Sequence, residues 1–309
     1  MGILSNTVSM YQYQVRGEPP DDAWVAERLE KYRFAPVDDI AEVETTGWVT
    51  LDDTNAADFG NVNVFSRPPY HVFTMRRDQR RVPQAALRVL VDRECAKWLA
   101  ERPLLTRVPA RRRMEIREAV HASLTARTLP VPSTWDLVWN TDTSILTVCA
   151  VTEKVLDVVE DFFKKTFEGR TLEPVHPMAR SRMVLGGDLR GLLDKHDEAP
   201  SKDVLLQIKR NRWLGWEFLL WLTYSTAQGR TAFEVQRDGP LSRGEGFIAY
   251  VHDRFVLAAE HESGRRTTSI KGLQTEFAEV RQAVSDGKNI TEATVYMERG
   301  EMTWRLNLK

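Results

Sequence analysis

Five prolines fence one stretch of this chain and leave it few ways to fold. After Pro83, a residue suited to the first turn of a helix, Leu87, Leu90, Val91 and Trp98 recur on one helical face until Pro103 ends the run. A helix of roughly 18 residues there reaches about 27 Å. Pro109 opens a second helix with the apolar stripe Ile116, Ala119, Val120 and Leu124, and Pro130 and Pro132 close it. Beside that stripe Arg113, Arg117 and His121 stand four apart and form one ridge. The spacing therefore predicts a helical pair over 83–127 with a basic edge.

Around this pair the apolar period shortens to two. Val8 to Val15, the surroundings of Trp48, Val62 to Phe65 and Tyr70 to Met75 read as strands, with an amphipathic helix behind Asp21 and Asp22 that carries Trp24, Val25, Leu29 and Tyr32. Trp135 to Asn140 and Ile145 to Val151 read as a hairpin turned at Asp142 to Ser144, feeding a helix that buries Val155, Val159, Phe162 and Phe163. The last third alternates again: strands at Thr231 to Gln236, Phe247 to Val251, Phe255 to Glu260 and Thr267 to Ile270, a helix at Thr275 to Ser285, and a closing hairpin of Ala293 to Glu298 with Met302 to Leu308 around Arg299 and Gly300. Strands and helices interleave without regular βαβ spacing, which predicts an α+β fold of antiparallel sheets interleaved with helices rather than a doubly wound one. The expected organisation is an N-terminal α+β region over 1–167, an irregular connecting segment over 168–209, rich in glycine and proline, and a C-terminal α+β region over 210–309.

Charge is the informative part of the composition. A net of −1 over 309 residues argues against a nucleic-acid partner only on average. From Glu18 to Asp58 twelve acids face three bases, a net of −9, whereas from Arg76 to Arg127 fourteen bases face six acids, a net of +8. Arrayed cations that neutralise phosphates give affinity without reading a base, and arginine forks onto phosphate oxygens. The candidate DNA-binding residues are Arg76, Arg77, Arg80, Arg81, Arg111, Arg112, Arg113 and Arg117, with a second patch at Lys209, Arg210 and Arg212 beside an aromatic helix. The plainer reading of the first group is a solvated face paired with Asp78, Glu115 and Glu118; the second group either extends a DNA track or caps a buried helix.

Other chemistry leaves few traces. The apolar run Trp213 to Tyr224 spans about a dozen residues and carries Glu217, too short for a membrane helix of about 20. Its tryptophans, Trp213, Trp216 and Trp221, read as core or dimer contacts. The first residues lack a basic n-region and a sustained apolar stretch, which predicts a cytoplasmic protein. Cys95 and Cys149 read as ordinary buried thiols. No HExxH, paired-cysteine spacing, Walker loop, dinucleotide fingerprint or G-x-S-x-G elbow occurs, so neither an enzyme nor a bound cofactor is expected. The cluster Asp194, His196 and Asp197 is the one imaginable metal site, in a stretch that otherwise reads as a charged turn.

From Gly47 to Pro177 the order of features resembles the recombination-associated RdgC family. The resemblance rests on Gly47-Trp48-Val49; on the basic strand end Arg76-Arg77-Asp78-Gln79-Arg80-Arg81-Val82-Pro83; on Ala119-Val120-His121-Ala122-Ser123-Leu124, then Trp139-Asn140-Thr141; and on Leu172-Glu173-Pro174-Val175-His176-Pro177. Arg210 to Leu222, RNRWLGWEFLLWL, resembles a block of divergent, phage- or prophage-type members. The resemblance implies a subunit of a ring-shaped homodimer that encircles double-stranded DNA regardless of sequence. It further implies a nucleoid-associated protein that limits access of the recombinase RecA and has no catalytic activity. Two other readings stand beside it, a nuclease or exonuclease accessory subunit in phage-type recombination and a protein-only scaffold that uses the aromatic helix.

Overall fold

A computed structural model describes residues 2–36, 43–199, 203–236, 242–261, 264–273 and 276–309. Asp38, Asp39 and Glu42 of the acidic stretch, and Thr275 at the expected start of the last helix, lie outside the described residues. The chain divides into two units, Met1–Val175 and His176–Lys309, each an antiparallel sheet with helices. The α+β expectation therefore holds.

In the first unit the strands are β1 (Tyr11–Arg16), β2 (Glu44–Val49), β3 (Ser66–Arg67), β4 (Tyr70–Gln79), β5 (Val131–Asn140), β6 (Ile145–Val148) and β7 (Thr171–Pro174). They run in the order β2-β4-β5-β6-β1-β7, with β3 also beside β4. The helices are α1 (Asp22–Lys31), α2 (Gln84–Ala100), α3 (Ala110–Arg127) and α4 (Glu153–Thr166). Asp21 starts α1 by accepting a hydrogen bond from the Trp24 N–H at 2.7 Å. Val25 and Leu29 of α1 and Leu156, Val159 and Phe163 of α4, three to four residues apart on each helix, go into a core with Trp48, Phe73, Trp139 and Phe167. Burial of the Trp48 indole leaves its N–H in need of an acceptor, and the Thr166 hydroxyl accepts it at 2.9 Å.

Next to Trp48, the backbone of Arg33 and Phe34 runs against β2. The Phe34 N–H donates to the Trp48 carbonyl at 2.8 Å, and the Trp48 N–H donates to the Tyr32 carbonyl at 3.0 Å. A Cβ on Gly47 would lie 2.2 Å from the Phe34 Cα, so only glycine lets the two backbones approach.

Three expectations change. Val62 to Phe65 is a 3-10 turn over Val62–Val64, because the Asn61 side chain accepts from the Asn63 N–H at 3.0 Å and competes with sheet pairing. The segment 168–209 holds β7 and three helices, α5 (Pro177–Val184), α6 (Gly187–Lys195) and α7 (Val204–Arg210); each is too short to show a period, and the division between units falls inside the segment. Phe247 to Val251 and Phe255 to Glu260 are one strand, β9 (Gly246–His261), which continues through a bulge that sets His252, Asp253 and Arg254 against Thr294 alone.

In the second unit β9 pairs with β8 (Ala232–Glu234), β10 (Gly264–Lys271) and β11 (Asn289–Arg299), and β11 pairs with β12 (Met302–Leu308). Leu219 and Leu222 of α8 (Trp213–Ala227) and Val280 and Ala283 of α9 (Ala278–Ser285) pack with Val251, Phe255, Leu257, Ile290 and Val295. Apart from the exposed Glu217, the first three turns of α8 are mostly apolar, and Phe218, Leu220, Trp221 and Tyr224 remain exposed. No helix among the described residues is long and apolar enough to cross a membrane.

Gly47→Ala is expected to destabilise the first unit by about 1–3 kcal/mol, because backbone rather than a flexible side chain must give way. Urea unfolding followed by tryptophan fluorescence measures it, and a loss below about 0.5 kcal/mol would show that the approach relaxes freely.

Candidate nucleic-acid interface

The last rung of the β4–β5 ladder pairs Gln79 with Val131, so the chain that leaves one strand must return beside it. Between those two points it builds α2 and α3, which pack on each other through Leu87, Val91 and Ile116, with Cys95, Trp98, Val108, Val120 and Leu124 partly buried alongside. At the root of this hairpin the Arg80 guanidinium donates to the Thr128 carbonyl at 2.7 Å. The expected stripes are thus in place except that Leu90 is only half-buried and outside this cluster and Ala119 faces solvent.

A groove of about 500 Å3 runs between the two helices. Leu87, Val91 and Met114 give it apolar walls, and Arg88, Arg113 and Arg117 stand along it with Asp92 as the acid among its lining residues. Arg113 lies 3.4 Å from Asp92, both side chains more than half exposed. Arg88 and Arg117 are exposed and form no ion pair among the described residues. On the neighbouring face Arg111 and Arg112 share Glu115, at 3.5 and 2.8 Å. Exposed pairs of this kind are worth about 0–1 kcal/mol each, so an incoming anion can displace the carboxylate.

The other candidates are placed differently. Arg76 is a sheet residue: its guanidinium grips Asp78 with two 2.8 Å hydrogen bonds, donates to the Thr54 carbonyl and Asn55 Oδ1, and lies over the Phe34 ring at 4.4 Å. Its side chain is 15% exposed and that of Asp78 is 8% exposed, and the hydrogen bonds it donates to Asp78 hold the guanidinium above its ordinary pKa. Arg77 bonds Glu44 at 2.6 Å, and the exposed Arg81 donates to Gln79 at 3.0 Å. Four predicted residues, Arg111, Arg112, Arg113 and Arg117, therefore gather on α3, while Arg76, Arg77, Arg80 and Arg81 secure the strand from which the hairpin springs. Lys209, Arg210 and Arg212 belong to the second unit, the first two in the last turn of α7, where cations favour the helix's negative end. Arg212 precedes α8 and lies 3.4 Å from Glu260.

Arg88 was not among the residues singled out by sequence. Its only signal is its place directly after Leu87, and the packing of α2 on α3 is what brings it to the groove.

Asp194 and Asp197 of the imagined metal cluster both serve Arg182, which donates to them at 2.9 and 2.6 Å. Asp197 also accepts from the Asn211 side chain at 2.7 Å and the Ala199 N–H at 2.9 Å. Burial works to raise its carboxyl, but the hydrogen bonds from Asn211, Ala199 and Arg182 outweigh that and hold it below the usual carboxylate range. Among the described residues no three His, Cys, Asp or Glu side chains gather as a metal ion would require. The chain matches no protein-family model and no curated protein sequence.

Two outcomes separate these roles. Arg76→Ala leaves Asp78 buried and uncompensated and is expected to cost about 3–5 kcal/mol in chemical denaturation, whereas Arg111→Ala should stay within about 0.5 kcal/mol of wild type. Because the Asp197 carboxyl is depressed in the folded state, its stabilisation is complete above the unfolded-state value and is lost as pH falls through the folded one. Melting curves between about pH 6 and 2 should show wild type losing stability on acidification more steeply than Asp197→Asn; parallel curves would reject that assignment.

Proposed function

We propose that the protein binds double-stranded DNA through its phosphates, without reading sequence, and does so as a homodimer that closes around the duplex. What carries this reading is the set Arg88, Arg113 and Arg117 along the α2–α3 groove, with Arg111 and Arg112 on the adjoining face: exposed guanidiniums that are unpaired or held only by exposed carboxylates. Such a surface exchanges carboxylate and counterions for phosphate, which gives affinity that is independent of base sequence and dependent on salt. Ring closure and the restraint of RecA by occupying its DNA come from the family resemblance. On this reading the chain catalyses nothing and needs no cofactor.

The metal-nuclease alternative gains no support from Asp194 and Asp197, whose carboxylates are committed to Arg182. The scaffold alternative retains one observation, the exposed aromatic side of α8.

Fluorescence anisotropy with two duplexes of unrelated sequence, titrated over a range of salt, tests the interface. Wild type should bind both alike, and the triple variant Arg88→Ala, Arg113→Ala, Arg117→Ala should lower the log–log salt slope by about 2–3. An unchanged slope would mean that phosphates lie elsewhere. Closure has a separate test: a dimer loaded on nicked circles should outlast a salt challenge that releases it from short linear duplex, and equal release from both would reject the ring.

A further inference from the structure

We propose that the second unit holds a binding site for a small amphipathic anion, an apolar body carrying one carboxylate or phosphate, in the cavity framed by α5, α7, α8 and the edges of β10, β11 and β12. The cavity measures about 810 Å3, within the range of about 300–1,000 Å3 usual for small-molecule sites. Its walls include Pro177, Val184, Ile208, Leu214, Trp216 and Leu219. Apolar lining of this extent, open to water, favours an apolar occupant.

The polar groups specify the rest. Arg180, Arg212 and Arg265 line the same cavity from α5, the start of α8 and β10, with Glu292 as the lining carboxylate. Glu260, opposite Arg265 in the β9–β10 ladder and 3.4 Å from Arg212, is exposed and is exchangeable in the same sense as the pairs on α3. Guanidiniums that line one apolar cavity from three elements complement an anionic head.

His176 adds an independent observation. It lines the cavity and is 8% exposed; its side chain is hydrogen-bonded with Gln207, while its buried Nδ1 has no hydrogen-bond partner. A buried ring nitrogen left unpaired is costly; this one is closed to solvent, so a polar atom of a bound ligand satisfies it only once the ring turns toward the cavity. This site lies wholly in the second unit, and its test involves no DNA.

Isothermal titration calorimetry of the full chain with octanoate, octyl phosphate and octanol distinguishes head group from body. One saturable site per chain is expected, with either anion bound at least about tenfold tighter than octanol; the tighter of the two identifies the head group. Arg212→Ala combined with Arg265→Ala should weaken both anions about tenfold and leave octanol within about twofold. Ser181→Trp, which fills the cavity, should abolish binding of all three. Octanol binding as tightly as octanoate, unchanged anion affinity in the double arginine variant, or no saturable binding by either anion would overturn the proposal. Should Ser181→Trp fail to fold, the two exposed arginines decide the matter alone.

Discussion

The pairing of β4 with β5 is the constraint on which the first unit turns. Its ladder runs unbroken from Tyr70 opposite Asn140 to Gln79 opposite Val131, and each rung fixes both the side-chain face and the exit point of the chain. Slipping β4 by one residue would turn Phe73 out of the core and bring Thr74 into its place opposite Leu137. The same register sets the two feet of the α2–α3 hairpin side by side, so helices whose buried apolar contact consists of Leu87, Val91 and Ile116 are held by the sheet's hydrogen bonds as much as by their own contacts. The basic groove inherits its geometry from β-pairing.

Local period made much of this visible. Pro83 and Pro109 set the start of α2 and α3, and the three- and four-residue spacing of Leu156, Val159 and Phe163 set the face of α4. What stayed hidden depends on interactions without a period. The bulge at His252 to Arg254 looks like a gap between strands because only the partner β11 shows that pairing resumes. Asn61 decides against a strand by one side-chain hydrogen bond, and α5, α6 and α7 are too brief for a stripe. For the site, a run of arginines is legible as charge, but not which members are already spent: Arg76 and Arg113 look alike in sequence, and only Asp78, Asn55 and Phe34 around the first distinguish them.

The second unit shows the same limit from the apolar side. The density of aromatic residues from Trp213 to Tyr224 reads as burial, yet the sheet has one face to offer α8, and that face is taken up by Leu219 and Leu222. Phe218 and Trp221 instead continue outward in ring contact with each other, and Trp221 with Phe233 and then Phe247. Composition counts apolar area; topology decides how much of it a partner element can reach.

The sharing of Glu115 by Arg111 and Arg112 has a kinetic consequence. When one guanidinium turns to an outside oxygen, the other still neutralises the carboxylate, so no charge is stranded during the hand-over. A polyanion lying along α3 could then be passed from one arginine to the next in small steps, each with a low barrier. On the proposed reading, such a surface would hold its cargo firmly in sum while gripping it loosely at any single point, and a bound strand would creep along its length without letting go.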